Sequence, residues 1–385
     1  MKPLQLKLQT LRKELNAAHL ERKSVIDGLL ATLLANQNAL LYGPPGTGKS
    51  LILREICSAI ADANFFQRLL HKAMSPDEVL GQISLKALEQ DIMKRNTNGR
   101  LQEAHLAFLD EVFRGNGVLL NSLLELMNER TYDNPDKQKS PLRSIVGATN
   151  SIDSGSDLEA FADRFIYRPW IFDLKTPSST KKLLSWTING NRPQVSQGLI
   201  TLAELDQMCA EAQRVKITSG MVDAFTEMIH NLIRDGFVIS ARRRVKLLQL
   251  VQCYAYVQGD EQVYLEHVHE LLPQCCWKSK IEEIREIKKL IETTAPIAKK
   301  KLADIVKAAQ GEVSRLEEKL NDPRLGHTDH VYAADFARTQ LSNLSNSLNK
   351  VQADLCRNGA SQRTKAEADL KAKAQRVSEL VEGLY

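Results

Sequence analysis

The stretch "ALLYGPPGTGKSLILREI", residues 39–56, constrains this chain more than any other. Gly43, Gly48, Lys49 and Ser50 fill the pattern G-x-x-x-x-G-K-[ST], between a short apolar run, "NALLY" (38–42), and helical apolar spacing in "LILREICSAIA" (51–61). A buried strand that runs into a glycine turn and then a helix aims backbone N–H groups and the positive helix end at one point, a cradle for phosphate. Gly43 lets the chain leave the strand tightly, and Gly48 removes a Cβ from the phosphate's path. Lys49 suits the β- and γ-phosphates, and the Ser50 hydroxyl suits Mg²⁺. The candidate nucleotide-binding segment is therefore Gly43, Pro44, Pro45, Gly46, Thr47, Gly48, Lys49, Ser50 and Leu51. Such a loop reads phosphates and not the base.

Four later stretches supply polar residues at the ends of strands or helices. "HLAFLDEVFR" (105–114) is an apolar strand closed by two carboxylates. Asp110 there can hold the Mg²⁺ shell, and Glu111 can polarise an attacking water. "SIVGATN" (144–150) is a second apolar strand, whose Asn150 amide can reach a γ-phosphate or that water. "EAFADRF" (159–165) places Arg164 after a short helix. There it can pair with a carboxylate of its own domain or project into a neighbouring subunit's site. "VISARRRVKLL" (238–248) starts a helix with three arginines, of which Arg242, with Arg243 beside it, is the candidate to fold back over the nucleotide.

The whole chain has 385 residues, 43% hydrophobic and 26% charged, enough for two or three domains with real cores. Its net charge of +5 comes from 52 basic and 47 acidic residues, too thin an excess to argue for nucleic acid by itself. The six cysteines lack framework spacing, so a reducing cytosol is the natural home. The first residues are charged throughout, without the apolar core of a signal peptide, and no stretch reaches membrane-helix length. "HVHELLPQCC" (267–276) gathers two His and two Cys, but neither pair has metal-ligand spacing on a helix, and a core reading is preferred. Trp170 and Trp277 are read as packing residues.

Short apolar runs alternate with helices over 36–174, as in a parallel α/β sheet, and the pattern turns helical over 199–277. After 278 apolar residues step by three and four, from Ile281 to Leu320 and from Ala337 to Leu355, which predicts long helices packed as a coiled coil. Pro296 kinks the first of them or starts a new one, and "NDPRLGHTDH" (321–330) makes the turn between the two series.

Taken together, the phosphate loop, the carboxylates, Asn150, "ADRF" and the helical-region arginines occur in the order of an AAA+ ATPase. "HKAMSPDEVLGQISLKAL" (71–88) resembles the β-hairpin-type insertion of the MoxR clade, and "DEVFRGNGVLLNSLLELMNERTYDN" (110–134) resembles its segment after the carboxylates. "ERKSVIDGLLATLLANQNALLYGPPGTGKS", "SPDEVLGQISLKAL" and "ISARRRVKLLQ" are similar to blocks of the RavA (regulatory ATPase variant A) subfamily. The resemblance covers roughly the first 275 residues. It implies an α/β AAA+ core over 1–175, a helical lid over 176–277 and a long-helix region over 278–385. It further implies a cytoplasmic homohexameric ring that hydrolyses ATP with Mg²⁺ at subunit interfaces and remodels or matures client proteins like a chaperone. Within it Lys49 and Ser50 bind phosphate and metal, and Asp110 and Glu111 form the second motif. Asn150 is the first sensor, Arg164 the finger acting on a neighbour, and Arg242 the second sensor. Proteins of this clade work with a partner carrying a von Willebrand factor A domain. The D-x-S-x-S motif of that domain does not occur here, so the partner is expected to be a separate chain. A nucleic-acid-dependent ring motor of the same clade is the alternative.

Overall fold

The computed structural model describes residues 3–150, 161–278, 280–322 and 324–382. The strands are β1 (Asn38–Tyr42), β2 (Ile60–Ala61), β3 (Phe65–Leu69), β4 (Leu106–Asp110), β5 (Thr131–Asp133), β6 (Lys137–Lys139), β7 (Ser144–Thr149), β8 (Phe165–Tyr167) and β9 (Ile200–Thr201). The helices of the first half are α1 (Pro3–Ala18), α2 (Lys23–Leu34), α3 (Lys49–Ser58), α4 (Pro76–Leu80), α5 (Leu85–Leu88), α6 (Gly117–Glu129) and α7 (Pro177–Asn189). Those of the second half are α8 (Leu202–Ala212), α9 (Ser219–Arg234), α10 (Ala241–Gln258), α11 (Leu265–Leu271), α12 (Pro273–Cys276), α13 (Glu282–Thr294), α14 (Ala298–Leu320), α15 (His327–Asn349) and α16 (Gly359–Glu382).

The chain forms two compact units, the first made of Met1–Thr218, Ile229–Val263 and Glu270–Lys288. Its centre is a five-stranded, wholly parallel sheet in the order β3-β4-β7-β1-β8. β1 and β7 are buried along their whole length, which is why they read as unbroken apolar runs rather than alternating ones. The edge strand β3 is mostly open to solvent and carries the charged Arg68 there, which discourages pairing with another chain.

Helix α2 is buried on nearly every face, between the sheet and α10. Its Asp27 is 1% exposed and makes two short bonds to the Arg12 guanidinium of α1, at 2.5 and 2.6 Å. Removing either partner strands a buried charge, at a cost of about 3–5 kcal/mol. Gly28 faces β8 so closely that a Cβ would lie 2.1 Å from Tyr167 Cζ, and the Tyr167 hydroxyl donates to the Ser24 carbonyl at 3.0 Å.

The insertion after β3 opens with α4, whose start is held by a 3.1 Å bond from the Ser75 amide to Glu78 Oε1, with Pro76 in the first turn. Instead of a long hairpin, pairing is confined to Gln82–Asn96 and Ser84–Lys94 backbone bonds and the bridge Ile83–Arg95, closed by the single-turn helix α5. Leu85, Leu88 and Met93 project into solvent at its tip. The turn between β5 and β6 leans on the insertion. Asn134, 4% exposed, accepts from the Arg95 amide at 2.6 Å and donates back to its carbonyl at 3.2 Å. The Arg95 guanidinium in turn binds Asp77 and the Gly81 carbonyl.

The second unit comprises Ser219–Met228, Tyr264–His269 and Lys289–Tyr385. Pro296 lies between α13 and α14 and separates them, because it can neither donate nor follow a helical residue without strain. α14, α15 and α16 pack against one another along buried Leu302, Leu316, Leu341, Leu370 and Val377. His267 and His269 are core residues of this unit: His267 Nδ1 accepts from the Tyr264 amide at 2.9 Å, and His269 Nε2 meets the Ala295 carbonyl at 2.7 Å. Among the described residues no helix is long and apolar enough to cross a membrane.

Replacing Gly28 with Ala overpacks the α2–β8 contact. It is expected to destabilise the protein by about 1–3 kcal/mol in urea unfolding, with the slope unchanged.

Candidate nucleotide site

Because the five strands run the same way, their C-terminal ends share one edge of the sheet. β1 ends at Tyr42 before the glycine loop, β4 ends at Asp110, and Asn150 follows β7. Gly43, Gly46 and Gly48 have φ of 144°, 79° and 80°, values that disfavour any side chain. Gly43 is doubly constrained, since a Cβ there would meet the Ile171 carbonyl oxygen at 2.2 Å. Around Gly46 and Gly48, in contrast, nothing lies within 4 Å of a Cβ position, so the loop is open on the side a phosphate would approach. Thr47 ties the loop to itself through a 3.0 Å bond to the Pro44 carbonyl. Ser50 is half-buried in the first turn of α3, and Leu51 after it is 38% exposed.

Lys49, 8% exposed, donates to the Gly43 and Pro44 carbonyls at 2.7 and 3.0 Å and to Asn150 Oδ1 at 3.3 Å. Burial pushes its pKa below the ordinary lysine value, opposed by the charges of Asp110 and Glu111. Asn150 continues the chain by donating from Nδ2 to Glu111 Oε1 at 2.7 Å. Arg114 lies 3.5 Å from the other oxygen of that carboxylate. Glu111 has φ of 51°, and its amide donates to Asp110 Oδ1 at 3.1 Å. This turn out of the strand sets the two carboxylates side by side. One glycine loop, one ammonium, two carboxylates and one amide thus converge on a single edge, a set of groups that suits a triphosphate and a hard divalent cation.

Arg164 and Arg242 are not brought to this edge. Arg164 precedes β8, and its carbonyl accepts from Asn38 Nδ2 at 3.3 Å, at the start of β1. Arg242 Nη2 donates to Asn128 Oδ1 at 3.1 Å, while the neighbouring Met127 carbonyl accepts from the same Asn38 amide at 3.4 Å. The five residues of β1 separate that end from the phosphate loop, about 17 Å at strand rise. Arg242 therefore does not fold over the nucleotide loop of its own chain. Nor does Arg243, which is 4% exposed and bonded to the carbonyls of Asp163, Phe165, Ile166 and Cys275. Sequence reasoning missed Lys246, one helical turn beyond Arg242. Burial, and then the charges of Arg242, Arg130 and Arg164, push its pKa down to about 8, with only Asp163 acting the other way.

Two residues expected to be packing residues pack on Tyr42, the residue that precedes the loop. Trp170 stacks on Tyr42 at 6.1 Å between centroids, and Trp277 tilts against the same ring at 4.8 Å. Such aromatic pairs add about 0.5–1.5 kcal/mol each beyond area burial.

Residues 6–210 match the family model described as the MoxR domain in the MoxR-vWA-beta-propeller ternary systems. The chain belongs to the MoxR family of AAA+ ATPases. It is 34% identical over 318 residues to the uncharacterized protein MJ0079 of Methanocaldococcus jannaschii, covering 81% of this chain and 82% of the relative. It is 35% identical over 283 residues to MJ0812 of the same organism, covering 71% and 74%. A crystal structure from Cytophaga hutchinsonii described as "a putative ATPase" superposes with a TM-score of 0.61 at 18% identity, over 76% of this chain and 94% of that one. That likeness shows the AAA+ fold, and the MoxR match spans every strand of the parallel sheet.

Lys246 gives this family member a pH-dependent element with a definite sign. Its folded pKa of about 8 lies below the lysine reference of 10.5, so the unfolded chain holds more protons between those values and stability rises with pH across that window. Lys246→Met is expected to raise the melting temperature at pH 7 by about 2 °C, and the gain should vanish by pH 10 in parallel melts.

Proposed function

We propose that this chain hydrolyses ATP with Mg²⁺ and uses the cycle to remodel or mature other proteins in the cytoplasm. The observation that carries the reading is the hydrogen-bonded series Lys49–Asn150–Glu111 beside the open glycine loop. When bound, MgATP supplies a polarised γ-phosphoryl group and a leaving diphosphate. The chain's residues do the rest. Backbone amides of 46–51 hold the phosphates, Lys49 neutralises their charge, and the Ser50 hydroxyl and Asp110 orient the metal. Glu111 takes a proton from the attacking water, and Asn150, already bonded to Glu111, orients that water through the same amide.

Arg164 and Arg242 serve a neighbouring subunit in a homohexameric ring, since both stand at the sheet edge away from their own loop. Their guanidiniums would meet charge developing on the neighbour's γ-phosphate. The family model's description, together with the RavA-like blocks of sequence, supports a von Willebrand factor A domain protein as partner, with a β-propeller protein as third component. The exposed Leu85, Leu88 and Met93 of the insertion suit contact with apolar client segments.

The reading is tested by phosphate release from purified protein. Glu111→Gln should lower kcat for ATP by about 100-fold or more while a fluorescent ATP analogue still binds, and Lys49→Ala should lose binding itself. Undiminished release from Glu111→Gln would reject the assignment. ATP-loaded Glu111→Gln should also retain a defined protein set; stoichiometric nucleic acid in its place would make the chain a motor on nucleic acid.

A further inference from the structure

Every backbone carbonyl from 162 to 166 is held by a side chain outside that segment. Ala162 accepts from Arg168 Nη2 at 2.9 Å, Asp163 from Arg243 Nη1 at 3.2 Å, and Arg164 from Asn38 Nδ2 at 3.3 Å. Phe165 accepts from both Arg168 Nε at 3.0 Å and Arg243 Nη2 at 3.3 Å, and Ile166 from Arg243 Nη2 at 3.2 Å. Arg243 also reaches Asp163 Oδ1 at 3.2 Å and, on α12, the Cys275 carbonyl at 2.5 Å. Arg243 and Arg168 are 4% and 8% exposed. Burial, and then the charge of Arg243, lower the Arg168 pKa to about 10.

Burying two like charges costs several kcal/mol that a well-packed apolar pair would not. Stability therefore does not account for the choice of residue. What arginine provides is a rigid, planar fork of five donors, able to hold several carbonyls in fixed relation. The segment so held carries one side chain with almost no partners. Among the described residues Arg164 Nε is buried without a hydrogen bond, and the only ion pair of its guanidinium is at 3.8 Å to Asp163.

We propose that Arg243 and Arg168 are positioning residues for Arg164, fixing the backbone on both sides of it so that its guanidinium is presented in one place to a neighbouring subunit. The inference rests on the reading of Arg164 as a finger acting on that neighbour. Because Arg243 adjoins Arg242 on α10, the clamp also makes α10 and the finger segment one body. Any turn of α10 then carries Arg164 with it.

The test uses the full chain and mixed assemblies. Arg243→Lys keeps the charge and loses the fork. It should lower kcat by about 10- to 100-fold with KM for ATP unchanged, because its own phosphate loop is intact. Mixed with excess Lys49→Ala, whose Arg164 is intact and whose own site is silent, it should recover to within about twofold of the unaltered rate per competent site. Arg164→Ala, expected to lose about 10³-fold alone, is the control for that recovery. Recovery of Arg164→Ala but not of Arg243→Lys overturns the positioning role and leaves the finger standing. Recovery of neither removes the finger reading, and this inference with it. Should Arg243→Lys show no cooperative melt, Asp163→Ala decides, since it removes one anchor at a half-exposed site. It should show the same kcat-only loss, about 3- to 10-fold, and the same recovery in the mixture; an unchanged kcat overturns the proposal.

Discussion

The parallel direction of the five strands is the constraint from which the rest follows. It sends every strand's C-terminal end to one edge and every N-terminal end to the other, and so sorts the polar residues into two groups. At the second edge a single fully buried amide does most of the tying. Asn38 accepts from the Ile145 amide at 3.0 Å and from Arg130 Nη2 at 2.9 Å, and donates to the Met127 and Arg164 carbonyls. A buried amide that makes four such bonds is costly to replace, because any substitute leaves several of its partners unpaired. It joins the end of α6, the start of β7 and the segment before β8 to the start of β1.

Much of this was legible in the sequence because the signals were local. An apolar run closed by a glycine or a polar residue marks a buried parallel strand and its functional end, and "NALLYG", "LAFLDE" and "SIVGATN" all have that form. What was not legible was which edge the arginines occupy. Residue type says that a guanidinium can meet a phosphate, and nothing in "ADRF" or "SARRR" says on whose chain. A finer signal did exist for Arg243. It shares a helical stripe with Leu247, Leu250, Val251 and Tyr254, all buried, whereas Arg242 falls off that stripe. Spacing alone thus separates the two. Arg168 carried a similar sign, a lone charge within "FIYRPW" between apolar neighbours.

The insertion shows the opposite failure. Its overall form, two segments paired antiparallel, is what "HKAMSPDEVLGQISLKAL" suggested, but the pairing stops after a few residues. The Ser84 hydroxyl accepts from the Ala87 amide and the Glu78 carboxylate accepts from the Ser75 amide, each at the start of a short helix, and such side-chain caps compete with an extended ladder. The aromatic support under the phosphate loop was invisible for a different reason. Tyr42, Trp170 and Trp277 are more than a hundred residues apart in succession, so no periodicity links them.

The reciprocal bonds between Asn134 and Arg95 have a mechanical consequence. The tip carrying Leu85 and Met93 is tied to the rest of the chain by more than its own backbone, because Arg95 also joins it to the β5–β6 turn. From there the short segment after β6 leads directly into β7, and β7 ends at the amide that touches both Lys49 and Glu111. The tip and the phosphate loop are thus joined by an unbroken run of covalent and hydrogen bonds.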